Sequence, residues 1–450
     1  VKPAPRKLGG TFLAGAKGRL LPASIVFRFF GAAVVFHALA WAALLGGAGQ
    51  WPQWRHGLGW PLAALHLVTL GTLACSAIGA SLQLLPVATR QPVRSHRLVG
   101  LLWWLYVPGV AVLTLGMGTA QPLWLAAGAT LVIAALLLWG VLLGLNLAGA
   151  RGMPGVVLHG WGALAALAVL AVSAEALVAL WLGRGWLDAA AARALHLASG
   201  SFGVMGLLAF GLAYILLPMF ALANVPNERR QLASGAAAVA GVAAAALAAF
   251  GPMLGFTPVP LRLAAIAAGA LALALHLRLM RLVLSTGMRS DLGRSLRMMQ
   301  IGWGALALAL LLALALVLGA PSEHLGRLFG IVLVGGWLLS FLLGVLQRIL
   351  PFLAAMHAAQ GRGKRPPTPS ALTLDRALHW HFIAHPTALA LLGVAALTDS
   401  ALLAGAAGAV GLSGAVAFAA FFAVLMRRLA RAAQQPAASP AAKPAEGAPP

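Results

Sequence analysis

Acidic residues are the scarcest resource in this chain: 8 Asp and Glu stand against 31 Lys and Arg among 450 residues, and charged residues of all kinds make up only 9%. A soluble domain carries about 25% charged residues, so water is not the main solvent. Cysteine is nearly absent too. The single one, Cys75, sits in an apolar stretch, which excludes disulfides, cysteine-held zinc and cysteine-held iron–sulfur clusters. Short alternating apolar and polar segments are also missing, and a membrane β-barrel would be built from those.

Long apolar runs fill the space that charge vacates. Hydrophobic residues reach 61%, in stretches that repeatedly exceed the roughly 20 residues needed to cross a bilayer core of about 30 Å. Cutting the runs at Gly, Pro and charge predicts twelve spans: 22–47, 60–86, 97–119, 122–147, 155–183, 193–222, 231–252, 259–285, 298–319, 325–352, 377–404 and 406–428. The fold class expected is all-α integral membrane. The formal charge of +23 raises the question of a nucleic-acid partner, but the basic residues cluster at span ends. With the amino terminus inside the cell, Arg90, Arg94, Arg97, Arg229, Arg230, Arg289, Arg294, Arg297, Arg427 and Arg428 share one side, whereas Arg55, Arg184, Arg262 and Arg327 fall opposite. That is the positive-inside bias. It predicts a multi-pass protein of a bacterial cytoplasmic membrane with both termini in the cytoplasm, meeting lipid and not nucleic acid.

Residues 1–21 read as a basic cytoplasmic segment without a cleavable signal, 22–430 as the membrane domain, and the Ala/Pro-rich stretch 431–450 as a disordered cytoplasmic tail. The polar loop from Ala358 to Asp375, with its Gly-Arg-Gly-Lys-Arg-Pro-Pro run, is expected on the same side.

A repeat links the second, sixth and tenth spans. The second has His66-Leu67, then Gly79 and Pro86. The sixth has His196-Leu197, then Gly211 and Pro218. The tenth has His324-Leu325, then Gly344 and Pro351. Each starts outside with His-Leu and ends inside with Gly-x(6)-Pro, which suggests three four-span units at about 22–147, 155–285 and 298–428.

Twelve spans in three arcs, the run His66 to Gly71 through Gly79 to Pro86, and the following Leu101-Leu102-Trp103-Trp104 resemble the heme-copper oxidase catalytic subunit. The endings around Tyr214 and Pro218-Met219-Phe220 look like its cbb type. The resemblance implies an axial heme ligand at His66. It also exposes departures. The copper-ligand histidines expected in the seventh span are missing from Gln231 to Pro252, and the His-x-His of the tenth falls on Phe329 and Ile331. The expectation is therefore a heme b protein without a conventional oxygen-reducing centre, acting in electron transfer or in handling NO or O2. Were it an enzyme, it would be an oxidoreductase of the cytochrome oxidase or nitric oxide reductase type. A cytochrome c or other redox subunit, or a quinol, is the implied partner. Copper remains open away from the usual site. The alternative is a cofactor-free permease or assembly partner on the same scaffold.

Histidine inside a bilayer is costly and suits iron and copper. His66 and His196 are the candidate axial pair, each with the alternative of a hydrogen bond to a carbonyl across helices. His324, beside Glu323, is the weaker third candidate. Glu175 is the acidic residue deepest in a span and a candidate proton carrier. His381 and His385, four apart on one helical face, form a candidate metal pair, with a solvated cytoplasmic helix start as the competing reading. Single histidines at 37 and 159 suggest interhelical hydrogen bonds. His276, with Arg278 and Arg281, suggests contact with lipid phosphate.

Overall fold

The computed structural model describes residues 21–55, 57–289, 291–359 and 367–434. The amino-terminal segment before them, the Gly361–Pro366 part of the long loop and the Ala/Pro-rich end lie outside the described residues. Among those described, twelve helices are long and apolar enough to cross a membrane: α1 Ala23–Gly46, α2 Trp60–Ala88, α3 His96–Thr119, α4 Pro122–Ala148, α5 Pro154–Trp181, α6 Ala189–Ala221, α7 Glu228–Ala249, α8 Val259–Thr286, α9 Gly293–Val317, α10 Glu323–Ala359, α11 Asp375–Thr398 and α12 Ala401–Ala432. The protein is thus an all-α, multi-pass membrane protein whose outer face contacts lipid.

The last boundary differs from the sequence expectation by about a turn and a half. Helix α11 ends at Thr398 because Asp399 adopts a left-handed conformation (φ 52°), and Ser400 Oγ accepts from Leu403 N at 3.2 Å to start α12. Gly405, where the expected spans part, lies inside α12 instead, and a Cβ there would make an ordinary contact with Ala48 Cβ at 3.6 Å.

Helices α2, α6 and α10 are the most enclosed of the twelve. Around them α3 pairs with α4, α7 with α8 and α11 with α12, while α12 packs on α1, α4 on α5 and α8 on α9. The same neighbour relation therefore recurs every four helices.

Each central helix carries a π-helical stretch: Leu67–Ala74, Ala198–Gly206 and Ile331–Leu339. Long π segments are rare, because the wider turn spoils the packing along the axis. All three end five residues before the glycine of the Gly-x(6)-Pro ending. A second glycine, eight residues before that one, explains how they fit. A Cβ on Gly71 would lie 2.6 Å from Phe36 Cβ, on Gly203 2.4 Å from Ala166 Cβ, and on Gly336 2.9 Å from Ala305 Cβ. Each contact is with the preceding helix, so the absent side chain lets the widened turn lie against its neighbour. Hydroxyls absorb carbonyls that the wide turns leave weakly bonded: Thr72 Oγ1 donates to Leu67 O at 3.2 Å, Ser340 Oγ to Gly335 O at 3.1 Å, and Tyr106 from α3 to Leu70 O at 2.9 Å.

Candidate functional site

A cavity of about 790 Å³ opens among the central helices, walled by α1 to α6, α10 and α11. Its walls are Leu, Val and Ala with the rings of Trp41, Trp139 and Trp181. That size and lining suit a mostly apolar small molecule or cofactor.

His66 and His196 both line it, and both are half-buried because the cavity lies in front of them. His66 ends the α-helical part of α2 and His196 stands two residues before the π stretch of α6, so the two wide turns start just behind them. Their ring centres are 6.2 Å apart with the planes tilted by 34°. His66 Nδ1 lies 3.0 Å from the Leu62 carbonyl, and since a carbonyl only accepts, Nδ1 holds the proton and Nε2 keeps its lone pair. His196 Nδ1 is buried without a partner.

Basic side chains meet the same space. Arg193, three residues before His196, and Arg327 line the cavity. The Arg327 side chain is only 3% exposed. Its Nη2 donates to Asp399, while Nε and Nη1 are buried and unpartnered. A buried guanidinium with idle donors faces an energetic deficit that an anionic group would remove. Asp399 sits at the turn after α11, where the hydrogen bond from Arg327 holds its carboxyl below the ordinary value of 3.8.

The other sequence candidates fall elsewhere. His324 does not line the cavity. Its Nδ1 lies 3.1 Å from both the Ala396 carbonyl and Arg327 Nη2, contacts that one nitrogen satisfies one at a time, and 3.8 Å from Asp399. It belongs to an ion cluster where α10 begins and α11 ends, joined by Arg55 and Glu323 at 2.6 Å. The positions aligned with the missing ligand pair, Phe329 and Ile331, do line the cavity but offer no donor.

Three expectations need correction. Glu175 is not a buried carboxylate: it is exposed on α5 and accepts from Trp186 Nε1 at 2.7 Å, because α5 turns that face outward and the following loop folds back over it. It has no place in the cavity wall. The start of α11 is solvated at His379, which is exposed, but not at His381 and His385, which are 0% and 2% exposed and enclosed by α1, α10 and α12. His276 points inward, away from lipid phosphate: it is fully buried, stacks on Phe210 with ring centres 4.0 Å apart, and lies 3.2 Å from Tyr214 OH. Trp103 packs under Arg28 and does not line the cavity.

Sequence reading missed Arg327 and Arg193 as cavity residues. The available signal was their i, i+3 spacing to His324 and His196. No model of a known protein family matches the chain, and no curated protein matches it. What fold and site define is a class: a twelve-helix membrane protein with an apolar chamber, two facing imidazoles and a buried arginine.

Proposed function

We propose that this protein binds a heme b between His66 and His196 and serves electron transfer or the handling of a diatomic gas such as NO or O2. The separation of the two rings carries the reading. An imidazole nitrogen bonds a transition metal at about 2.0–2.1 Å and its ring centre lies about 1.1 Å further out, so two rings on opposite sides of one metal stand about 6.3 Å apart. The observed 6.2 Å matches. The tautomer of His66 leaves the right nitrogen free, with its other nitrogen held by a backbone carbonyl as metal-bound histidines usually are. The apolar walls suit a tetrapyrrole body, and the idle Arg327 donors suit its carboxylates.

A heme held there would supply reversible one-electron chemistry at its iron. The residues of this chain would orient its plane, exclude water and neutralise its acid groups. The likeness to the heme-copper oxidase catalytic subunit rests on the central α2, α6 and α10 and on His66. Phe329, Ile331 and the ligand-poor α7 argue against its oxygen-reducing centre. In keeping with that likeness, the carboxyl ends of α2, α6 and α10 face the cytoplasm of a bacterial inner membrane, and a cytochrome c or a quinol exchanges electrons with the site.

An optical spectrum of the protein purified from heme-replete cells, oxidised and dithionite-reduced, tests this. A low-spin b-type spectrum at about one heme per chain is expected. Colourless, folded protein would favour the permease or assembly-partner reading.

A further inference from the structure

We infer a second, metal-binding site deeper in the membrane domain, made by His37 of α1 with His381 and His385 of α11, and taking one copper ion. It shares no residue with the chamber and does not depend on the heme reading. The His37 and His381 ring centres are 6.0 Å apart, and those of His381 and His385 are 5.8 Å apart. All three side chains are at most 2% exposed. Four of their ring nitrogens, His37 Nδ1, both of His381 and Nδ1 of His385, are buried without any hydrogen-bond partner. His385 Nε2 is 2.9 Å from Ser340 Oγ, which fixes that ring from the far side.

Unpartnered polar atoms each cost free energy in a bilayer interior, and four within one cluster ask for a common ligand. Water would satisfy them singly; a metal ion satisfies three rings at once. Both ring separations lie under the roughly 6.3 Å ceiling for two imidazoles on one ion, so the central His381 is within reach of an ion shared with either neighbour. As the side chains stand, no group of three His, Cys, Asp or Glu among the described residues is placed to hold a metal ion, and capture therefore requires the rings of His37 and His385 to turn toward His381 about their side-chain torsions. His381 and His385 sit on one face at i, i+4, a spacing that supplies two ligands to one ion.

Donor chemistry selects the ion. Three neutral imidazoles bring no negative charge, and Asp375, the acid nearest in sequence, is engaged by Arg294 at the start of α11. Burial then favours the least charged ion that imidazole binds well. Among those that imidazole suits, namely zinc, copper, iron and nickel, the monovalent state belongs to copper.

The test uses full-length protein in detergent, incubated anaerobically with Cu(I), freed of loose metal and analysed for copper, zinc and iron. About one copper per chain is expected. It should persist in His66→Ala, which attacks the chamber, and be lost in His381→Phe. His37→Gln and His385→Gln should each bind at least about tenfold more weakly, and decide the matter if His381→Phe does not fold. Oxidised samples should show nitrogen hyperfine structure in electron paramagnetic resonance. Copper well below one equivalent, copper that survives His381→Phe or the two Gln variants, or zinc displacing copper in competition would each overturn the inference.

Discussion

Gly203→Ala probes the physical basis of the repeat most directly. The added methyl would stand 2.4 Å from Ala166 Cβ, far inside van der Waals contact, and an alanine Cβ cannot rotate away. Helices α5 and α6 must part, at the π turn that follows His196. Overpacking of a close-packed interior costs about 1–3 kcal/mol. Reversible unfolding in mixed micelles with increasing SDS should report a loss of that size. Gly304→Ala on α9 is the control: its Cβ would meet nothing within 4 Å, and the gain in helix propensity should leave stability unchanged or up to about 1 kcal/mol higher. Ala166→Gly combined with Gly203→Ala should recover most of the loss, as expected for two sites in contact. Equal stability of Gly203→Ala and wild type, or a double variant no better than the single, would refute the close approach and reduce the glycine pattern to ordinary membrane-helix composition.

Ligand exchange distinguishes the histidines: His66→Ala and His196→Ala should each abolish the low-spin spectrum, whereas His324→Ala, in the ion cluster with Arg327 and Asp399, should leave it intact. If His66 and His196 both hold the heme as proposed, carbon monoxide added to reduced wild type should change the spectrum little, and it should bind readily once either histidine is replaced. Arg327→Gln should weaken heme retention and shift the midpoint potential, read by redox titration, while keeping the low-spin spectrum. The clasp between Arg327 and Asp399 has a pH signature. Arg327 depresses the carboxyl of Asp399, so its contribution is complete above the unfolded carboxylate value near 3.8 and fades as pH falls through the lower folded value. Unfolding midpoints compared from pH 6 to pH 3 should show an acid-side loss that Asp399→Asn removes; the same acid slope in that variant would place the loss elsewhere.

Much of this protein was legible in the chain because the bilayer is a simple solvent. Apolar length alone picks out helices that must satisfy their own backbone, and ten of the twelve begin within four residues of their predicted starts, α9 and α12 each beginning five residues earlier. The His-Leu and Gly-x(6)-Pro endings marked α2, α6 and α10, and the pair His66 and His196 was nameable before any geometry. Facing relations were not legible. In water, apolar periodicity reveals the buried side of a helix; in lipid, both the core-facing and lipid-facing sides are apolar, and the signal vanishes. That is why Glu175 read as buried when it faces out beside Trp186, and why His381 and His385 read as solvated when they are enclosed. The π turns were hidden for a related reason: they depend on how closely α1, α5 and α9 approach Gly71, Gly203 and Gly336, a property of helix pairs. Sequence by itself determined the number of crossings and the residues capable of chemistry. Tertiary structure decided which of them meet, bringing His66 to His196 across a cavity and His37 to His381 from opposite ends of the chain, because only packing sets the rotation of each helix about its own axis.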